Sequence, residues 1–195
     1  MRTFLLARHG QSQLNVVGVV NADPGRDPGL SPAGEAEARQ LGRQIAALEI
    51  ELVVTSRFPR AQQTAGLALA TRNVPHVIIP DLDDVKIGEL EGKTIADYRV
   101  WKHGRSRTEP FPGGESLEGA ARRYAGAYRS LLERAESTVL VICHEIPVRY
   151  AINAAAGSPR LDAPVHDVPN AVPYLFGTPQ LAAATERIVE LAATD

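Results

Sequence analysis

The stretch Thr3 to Gly10, TFLLARHG, constrains the chain most, because a short apolar run, Phe4 to Ala7, breaks directly into an arginine, a histidine and a glycine. A run this short, bounded by polar residues and without helical period, predicts a buried strand. Arg8 and His9 then fall at its carboxyl end, which is where open α/β sheets bind their ligands. Gly10 is expected to let the backbone turn sharply and to leave room beside the imidazole. Three-residue motifs recur by chance, so the site has to be completed by the rest of the chain.

The rest of the chain alternates strand and helix signals. A loop rich in Gly, Asn, Asp and Pro over 11–30 leads to Ser31-Pro32, an N-cap with proline at the first helical position. Ala38, Leu41, Ile45 and Leu48 recur at helical spacing, which predicts a helix to about Leu48. ELVVT, Glu51 to Thr55, reads as a second buried strand, followed by a helix from Pro59 to Ala70 and a weaker strand from His76 to Ile79. Asp81 to Pro112 is mostly polar, with one short helix at Thr94 to Trp101. Ser116 caps a long helix whose apolar side is Tyr124, Tyr128, Leu131, Leu132 and Ala135. TVLVIC, Thr138 to Cys143, is the most apolar strand, and His144 stands immediately after it. A helix from Pro147 to Ala156, a proline-rich loop, a strand from Ala171 to Phe176 and a helix from Pro179 to Leu191 close the chain. This order predicts a three-layer α/β/α sandwich with a mostly parallel central sheet.

At 195 residues the chain suits a single domain spanning 1–195. With 21 basic and 23 acidic residues, neither nucleic acid nor an anionic membrane is expected as a general partner, so any preference for anions must be local. A single cysteine excludes a disulfide framework and a CxxC metal site, and suits a reducing compartment. The first apolar run is too short for a signal peptide, and none approaches the ~20 residues that span a bilayer. A soluble, cytoplasmic protein is the expectation, with a homodimer left open.

Three buried strands thus end in Arg8 and His9, in Thr55 to Arg60, and in Cys143 and His144. If they are parallel neighbours, two histidines and at least two arginines meet on one rim, in a pocket suited to a phosphate, a sulfate or a phosphate ester. Arg60 sits in the first turn of its helix, where a cation opposes the macrodipole by about 0.3–1 kcal/mol, so a bound anion is expected to justify it. Arg57 shares that argument, with a solvated surface arginine as the other reading.

Several segments together resemble the histidine phosphatase superfamily, the phosphoglycerate mutase-like group. RHGQSQLN (Arg8 to Asn15), LSPAGEAEARQLG, SRFPRAQQTA (Ser56 to Ala65), DLDDVKIGELEG (Asp81 to Gly92), PGGES (Pro112 to Ser116) and VLVICHE (Val139 to Glu145) match its motifs in order. The resemblance selects Arg60 over Arg57 and implies a phosphomonoester hydrolase in which His9 becomes a phosphohistidine. Arg8, Arg60, His144 and Asn15 would surround the transferred phosphoryl group. Asp84 would be the general acid and base, at a position where most relatives on this branch carry glutamate. It implies no metal and no organic cofactor, and a small-molecule phosphomonoester as substrate.

Arg8 and Arg60 are expected to hold the Asp84 carboxyl low in the empty pocket, with a phosphate dianion reversing that field. Gln11 replaces the family's glutamate after RHG. Glu145 and Ile146 stand where small residues are common, so a bulkier loop that narrows the pocket is expected there. A basic segment, Arg99, Lys102, His103, Arg105 and Arg107, is either a lid that holds a second anionic group or a solvated loop.

Three other readings stay open at this point. A phosphoglycerate mutase-type phosphoryl transfer would use the same site, although the segment from Lys93 to Phe111 is short for the lid such a reaction needs. A non-catalytic phosphate-ester binding module would need a missing nucleophile, arginine or acid. Cys143 and Arg149 have the C-x5-R spacing of cysteine phosphatases, but Pro147 has no N–H, and Ile146 and Val148 are bulky for a phosphate cradle.

Overall fold

The computed structural model describes residues 2–194. Five strands, β1 (Thr3–Arg8), β2 (Leu52–Thr55), β3 (His76–Ile78), β4 (Thr138–Cys143) and β5 (Pro173–Gly177), form one sheet in the order β3-β2-β4-β1-β5. The first four run parallel, and β5 pairs antiparallel with β1 at one edge. The helices are α1 (Gln13–Val16), α2 (Pro32–Gln44), α3 (Pro59–Ala68), α4 (Ile95–Lys102), α5 (Leu117–Leu132), α6 (Glu145–Ala155) and α7 (Thr178–Leu191). No described helix is long and apolar enough to cross a membrane.

The three layers follow from the side-chain alternation of the central strands. Phe4 and Leu6 of β1 and Val139, Val141 and Cys143 of β4 face α5, α6 and α7, where Tyr124, Tyr128 and Tyr150 are fully buried. Leu5, Ala7, Leu140 and Ile142 face the other way, onto Leu41 of α2 and Ala61 and Ala65 of α3. Burial on both faces explains why β1 and β4 read as continuous apolar runs. The edge strand β3 is half exposed, which is why its signal is weak.

Four boundaries differ from the sequence reading for identifiable reasons. Helix α2 stops at Gln44, and Arg72 donates to the carbonyls of Ile45, Ala46 and Leu48, satisfying groups the helix leaves open. Leu48 therefore lies outside α2, and Ala135 lies outside α5, which ends at Leu132. Helix α6 begins at Glu145, not Pro147, because a proline in the first turn lacks only an N–H that would have no helical partner. Ala171 adopts φ +52°, a left-handed conformation that no strand accepts, so β5 starts at Pro173. The loop over 11–30 contains the short helix α1, which Ser12 and Asn15 cap reciprocally.

Parallel register brings the strand ends level. Arg8 pairs with Cys143, and Thr55 with Ile142. His9, His144 and Ser56, each one residue further on, consequently stand on one rim of the sheet.

Candidate active site

That rim opens into a pocket of about 440 Å³, within the range of small-molecule sites. Arg8, His9, Asn15, Arg60 and Asp84 line it. His9 is almost fully buried, and Asn170 holds its carbonyl through a 2.7 Å bond. Its Nδ1 lies 2.7 Å from the Gly10 carbonyl and so carries the proton, and its Nε2 accepts from Arg60 Nε at 3.0 Å. Burial, Arg60 and Arg8, in that order, push the His9 pKa well below its ordinary value. The imidazole is neutral with its basic nitrogen facing the arginines, the tautomer a nucleophile requires.

Gly10 has no positive φ, so its role is not the sharp turn expected of it. A Cβ there would come within 2.5 Å of the Gly34 carbonyl, so glycine serves the close approach of the loop to α2. Thr64 accepts from the Gly10 N–H at 2.9 Å and fixes this junction.

Arg60 is buried at the centre of the site. Its Nη1 donates to Asn21 Oδ1 at 2.6 Å, its Nη2 lies 3.5 Å from Asp84 Oδ2, and its guanidinium stacks 4.2 Å from the Phe58 ring centroid. The cation in the first turn of α3, for which a bound phosphate is the expected justification, also has one within the chain. Asp27 accepts from the Arg60 N–H at 2.9 Å and lies 3.5 Å from Nη1, so a buried carboxylate already supplies the counter-charge. Burial lowers the Arg60 pKa, while Asp84 and Asp27 oppose the change.

His144, the N-cap of α6, is fully buried. Arg60 Nη2 stands 3.3 Å from its Nδ1, so the proton is on Nε2, which reaches Ser56 Oγ at 2.9 Å. Its ring centroid is 5.3 Å from that of His9, and burial followed by Arg60 pushes its pKa well down. Asp84 Oδ2 lies 3.6 Å from His144 Nδ1. Contrary to expectation, the Asp84 pKa is raised: burial outweighs the lowering effect of Arg60, the Val85 N–H and Arg8. The carboxyl is therefore closer to a proton donor in the free site than the arginines alone would make it.

The other carboxylates of the segment are committed or outside. Asp83 accepts from the Arg57 N–H at 2.9 Å and pairs with its Nη2 at 2.6 Å, which also removes Arg57 from the pocket. Glu89 is exposed, and Glu91 accepts from Asn21 Nδ2 at 2.7 Å and from the Ala22 N–H at 2.6 Å. Asn15 lines the pocket, with its Oδ1 accepting from the Ser12 N–H. Gln11 turns away toward α2, where its Oε1 accepts from Ser31 Oγ at 2.8 Å.

The basic segment divides. Arg99 and Lys102 line the pocket. Arg107 is instead buried structure, donating to the Ala192 carbonyl and the Tyr150 hydroxyl and pairing with Asp162. Arg105 pairs with Glu109 and stacks on Trp101, and neither it nor His103 is among the residues lining the pocket.

Cys143 is buried, and burial pushes its thiol up to about 12, the reverse of what a nucleophilic cysteine needs. Cys143→Ser should keep turnover within a few-fold of the parent. Loss of activity in a folded variant, checked by circular dichroism, would restore the C-x5-R reading.

Several functional residues escaped the sequence reading. Asn21, Asp27 and Glu91 position Arg60, and Ser56 orients His144. Arg123 of α5 donates to the carbonyls of Asp81, Asp83 and Asp84, fixing the segment that carries the acid. Glu115 of the PGGES segment pairs with that arginine at 2.5 Å. Gly88 (φ +54°) lets the same segment meet PGGES, since a Cβ there would come within 2.0 Å of the Pro112 carbonyl. Ser56, Gly88, Glu91 and Glu115 lie in segments that match the superfamily's motifs, whereas Asn21, Asp27 and Arg123 do not.

The profile of the histidine phosphatase superfamily (branch 1) matches residues 4–177, and the chain belongs to that superfamily. It is similar to a 2,3-bisphosphoglycerate-dependent phosphoglycerate mutase of Brucella melitensis biotype 2, at 34% identity over 173 residues, covering 80% of this chain and 82% of the relative. Among solved structures it is similar to the alpha-ribazole phosphatase of Shigella flexneri, with a TM-score of 0.75 and 25% identity, covering 90% of each chain. YhfR of Bacillus stearothermophilus shares the fold with a TM-score of 0.80 at 24% identity, covering 91% of each chain. The Brucella relative is thus named as a mutase and the Shigella one as a phosphatase.

Proposed function

We propose that the chain is a phosphomonoester hydrolase that works through a phosphohistidine on His9, with Asp84 as general acid and base. The observation that carries this reading is the His9 tautomer: Nδ1–H is tied to the Gly10 carbonyl, and the Nε2 lone pair faces the arginines. When a phosphoryl group enters, its oxygens take the Arg60 donors and release Nε2. The Nε2 lone pair then attacks phosphorus, the P–O ester bond breaks, and the Asp84 proton goes to the leaving oxygen. Arg8, Arg60 and Asn15 offset the charge on the equatorial oxygens, and His144, whose Nδ1 faces Arg60 and Asp84, joins them when the entering dianion favours its protonated form. The Arg8 Nε, buried without an acceptor, is one donor that a phosphoryl oxygen could satisfy. In the second step the Asp84 carboxylate takes a proton from water, whose oxygen attacks phosphorus. The P–N bond breaks and its electron pair returns to Nε2.

The mutase reading is favoured by the Brucella relative and uses the same first step. It requires water to be excluded from the phosphohistidine, for which, among the described residues, the short α4 and its flanking loops are at hand. Hydrolysis is preferred for that reason, and the cytoplasm is its proposed setting. The test is release of inorganic phosphate from a panel of phosphomonoesters without added bisphosphate. Net release is the expected result. Isomerisation of phosphoglycerate that depends on priming with 2,3-bisphosphoglycerate, without net release, would establish the mutase reading instead, and no turnover of either kind would leave a binding module.

A further inference from the structure

Glu145 and Ile146, expected in a bulky loop, form the first turn of α6 instead and line the pocket. Glu145 stands in the first turn of α6, where a helix dipole favours a carboxylate. Its two oxygens are divided between floor and wall: Oε2 lies 2.9 Å from Arg8 Nη1, and Oε1 lies 3.0 Å from Arg149 Nη1. Arg149 is claimed a second time, with Nη2 standing 2.8 Å from Asp162 Oδ1. Glu145, Arg149 and Asp162 all line the pocket. On this side, both guanidinium groups already hold carboxylates.

We propose that Glu145 is a selectivity residue that turns away phosphomonoesters bearing a second negative charge near the ester carbon, and fits the pocket to esters of neutral, hydroxyl-bearing alcohols. This rests on the phosphomonoesterase reading and names its substrate class. A phosphoryl dianion on the floor shares Arg8 with Glu145, taking the unpartnered Nε while Nη1 stays beside the carboxylate. The carboxylate keeps its bond to Arg149 and stands as a fixed anion where the tail of the ester leaves the floor. A second anion beside Glu145 would gain Arg149 only by drawing it away from Glu145 and Asp162, which leaves two carboxylates uncompensated. Burial raises the Glu145 pKa while Arg8 and Arg149 oppose the rise, so a further anion makes its charge costlier still. Lys102, the other cation on this wall, is itself partly desolvated, and Arg99 is exposed. A neutral tail meets none of this: its hydroxyls find acceptors in Glu145 and Asp162, and Leu14, Val20, Ile95 and Tyr98 offer it an apolar surface.

Calorimetric binding of methylphosphonate and phosphonoacetate, at a pH where both phosphonates are dianionic, tests the idea without turnover. The two share a head group and differ by a carboxylate on the tail. The parent should bind methylphosphonate more tightly, and Glu145→Gln should shift the ratio of the two Kd values toward phosphonoacetate by about tenfold. Glu145→Ala should shift it in the same direction if the glutamine variant folds poorly. A purely structural role would weaken both ligands alike, and an unchanged ratio overturns the proposal, as does tighter binding of phosphonoacetate by the parent. Failure of both ligands to bind would overturn the anion site and this inference together. The expected selectivity without phosphate release from any ester would overturn hydrolysis alone.

Discussion

Asp84→Asn is expected to slow phosphoryl transfer from an alkyl phosphate by about 10²–10⁴-fold and to cost far less with p-nitrophenyl phosphate. An alkoxide leaves poorly unless it is protonated as the P–O bond breaks, whereas a nitrophenolate leaves unaided. The Asp84 carboxyl is placed for that work, 3.5 Å from Arg60 and 3.6 Å from His144, and burial raises its pKa against the pull of Arg60. A bound phosphate dianion adds to the rise, since it favours the neutral carboxyl. The same shift sets a pH dependence. With an alkyl substrate the rate should fall as pH climbs through the raised Asp84 pKa and the donor is lost, and Asp84→Asn should remove that limb. Comparison of kcat/KM for the two esters, on variants shown to be folded, checks the assignment. Equal losses on both substrates would contradict it. So would a leaving-group-dependent loss in Asp83→Asn or Glu89→Gln, whose parent carboxylates are respectively locked by Arg57 and exposed.

What the sequence could show depended on how local the physics was. The runs of β1 and β4 are apolar because both faces of those strands are covered, and a strand that ends in Arg-His or Cys-His exposes its chemistry in the letters themselves. Ser31 and Ser116 announce α2 and α5 because capping acts within one turn. The contacts that tune the site are of another kind. Asp27 reaches Arg60 across 33 positions and Arg123 reaches the Asp84 segment across 39, and neither pairing leaves a periodic trace. The sign of the Asp84 shift was misjudged for the same reason: the arginines beside it can be read from motifs, but the burial that outweighs them belongs to the assembled fold. Arg107 shows the converse, a basic residue in a polar stretch that turns inward to Tyr150 and Asp162. Pro147 suggested a start for α6 two residues later than the observed one, and the residue gained, Glu145, is the most informative position on the pocket wall.

His9→Ala has the largest expected effect, complete loss of turnover, because it removes the nitrogen that the proposed phosphohistidine requires. His144 does not replace it, since its ring is fully buried and its protonated Nε2 is turned to Ser56. The covalent step itself is the central claim, and the most direct measurement is capture of the intermediate. Brief exposure of the protein to a radiolabelled phosphomonoester, followed by denaturation, should trap label that is labile in acid and stable in alkali, as an N–P bond requires, and His9→Ala should trap none. Label that survives acid, or that persists in His9→Ala, would contradict the account.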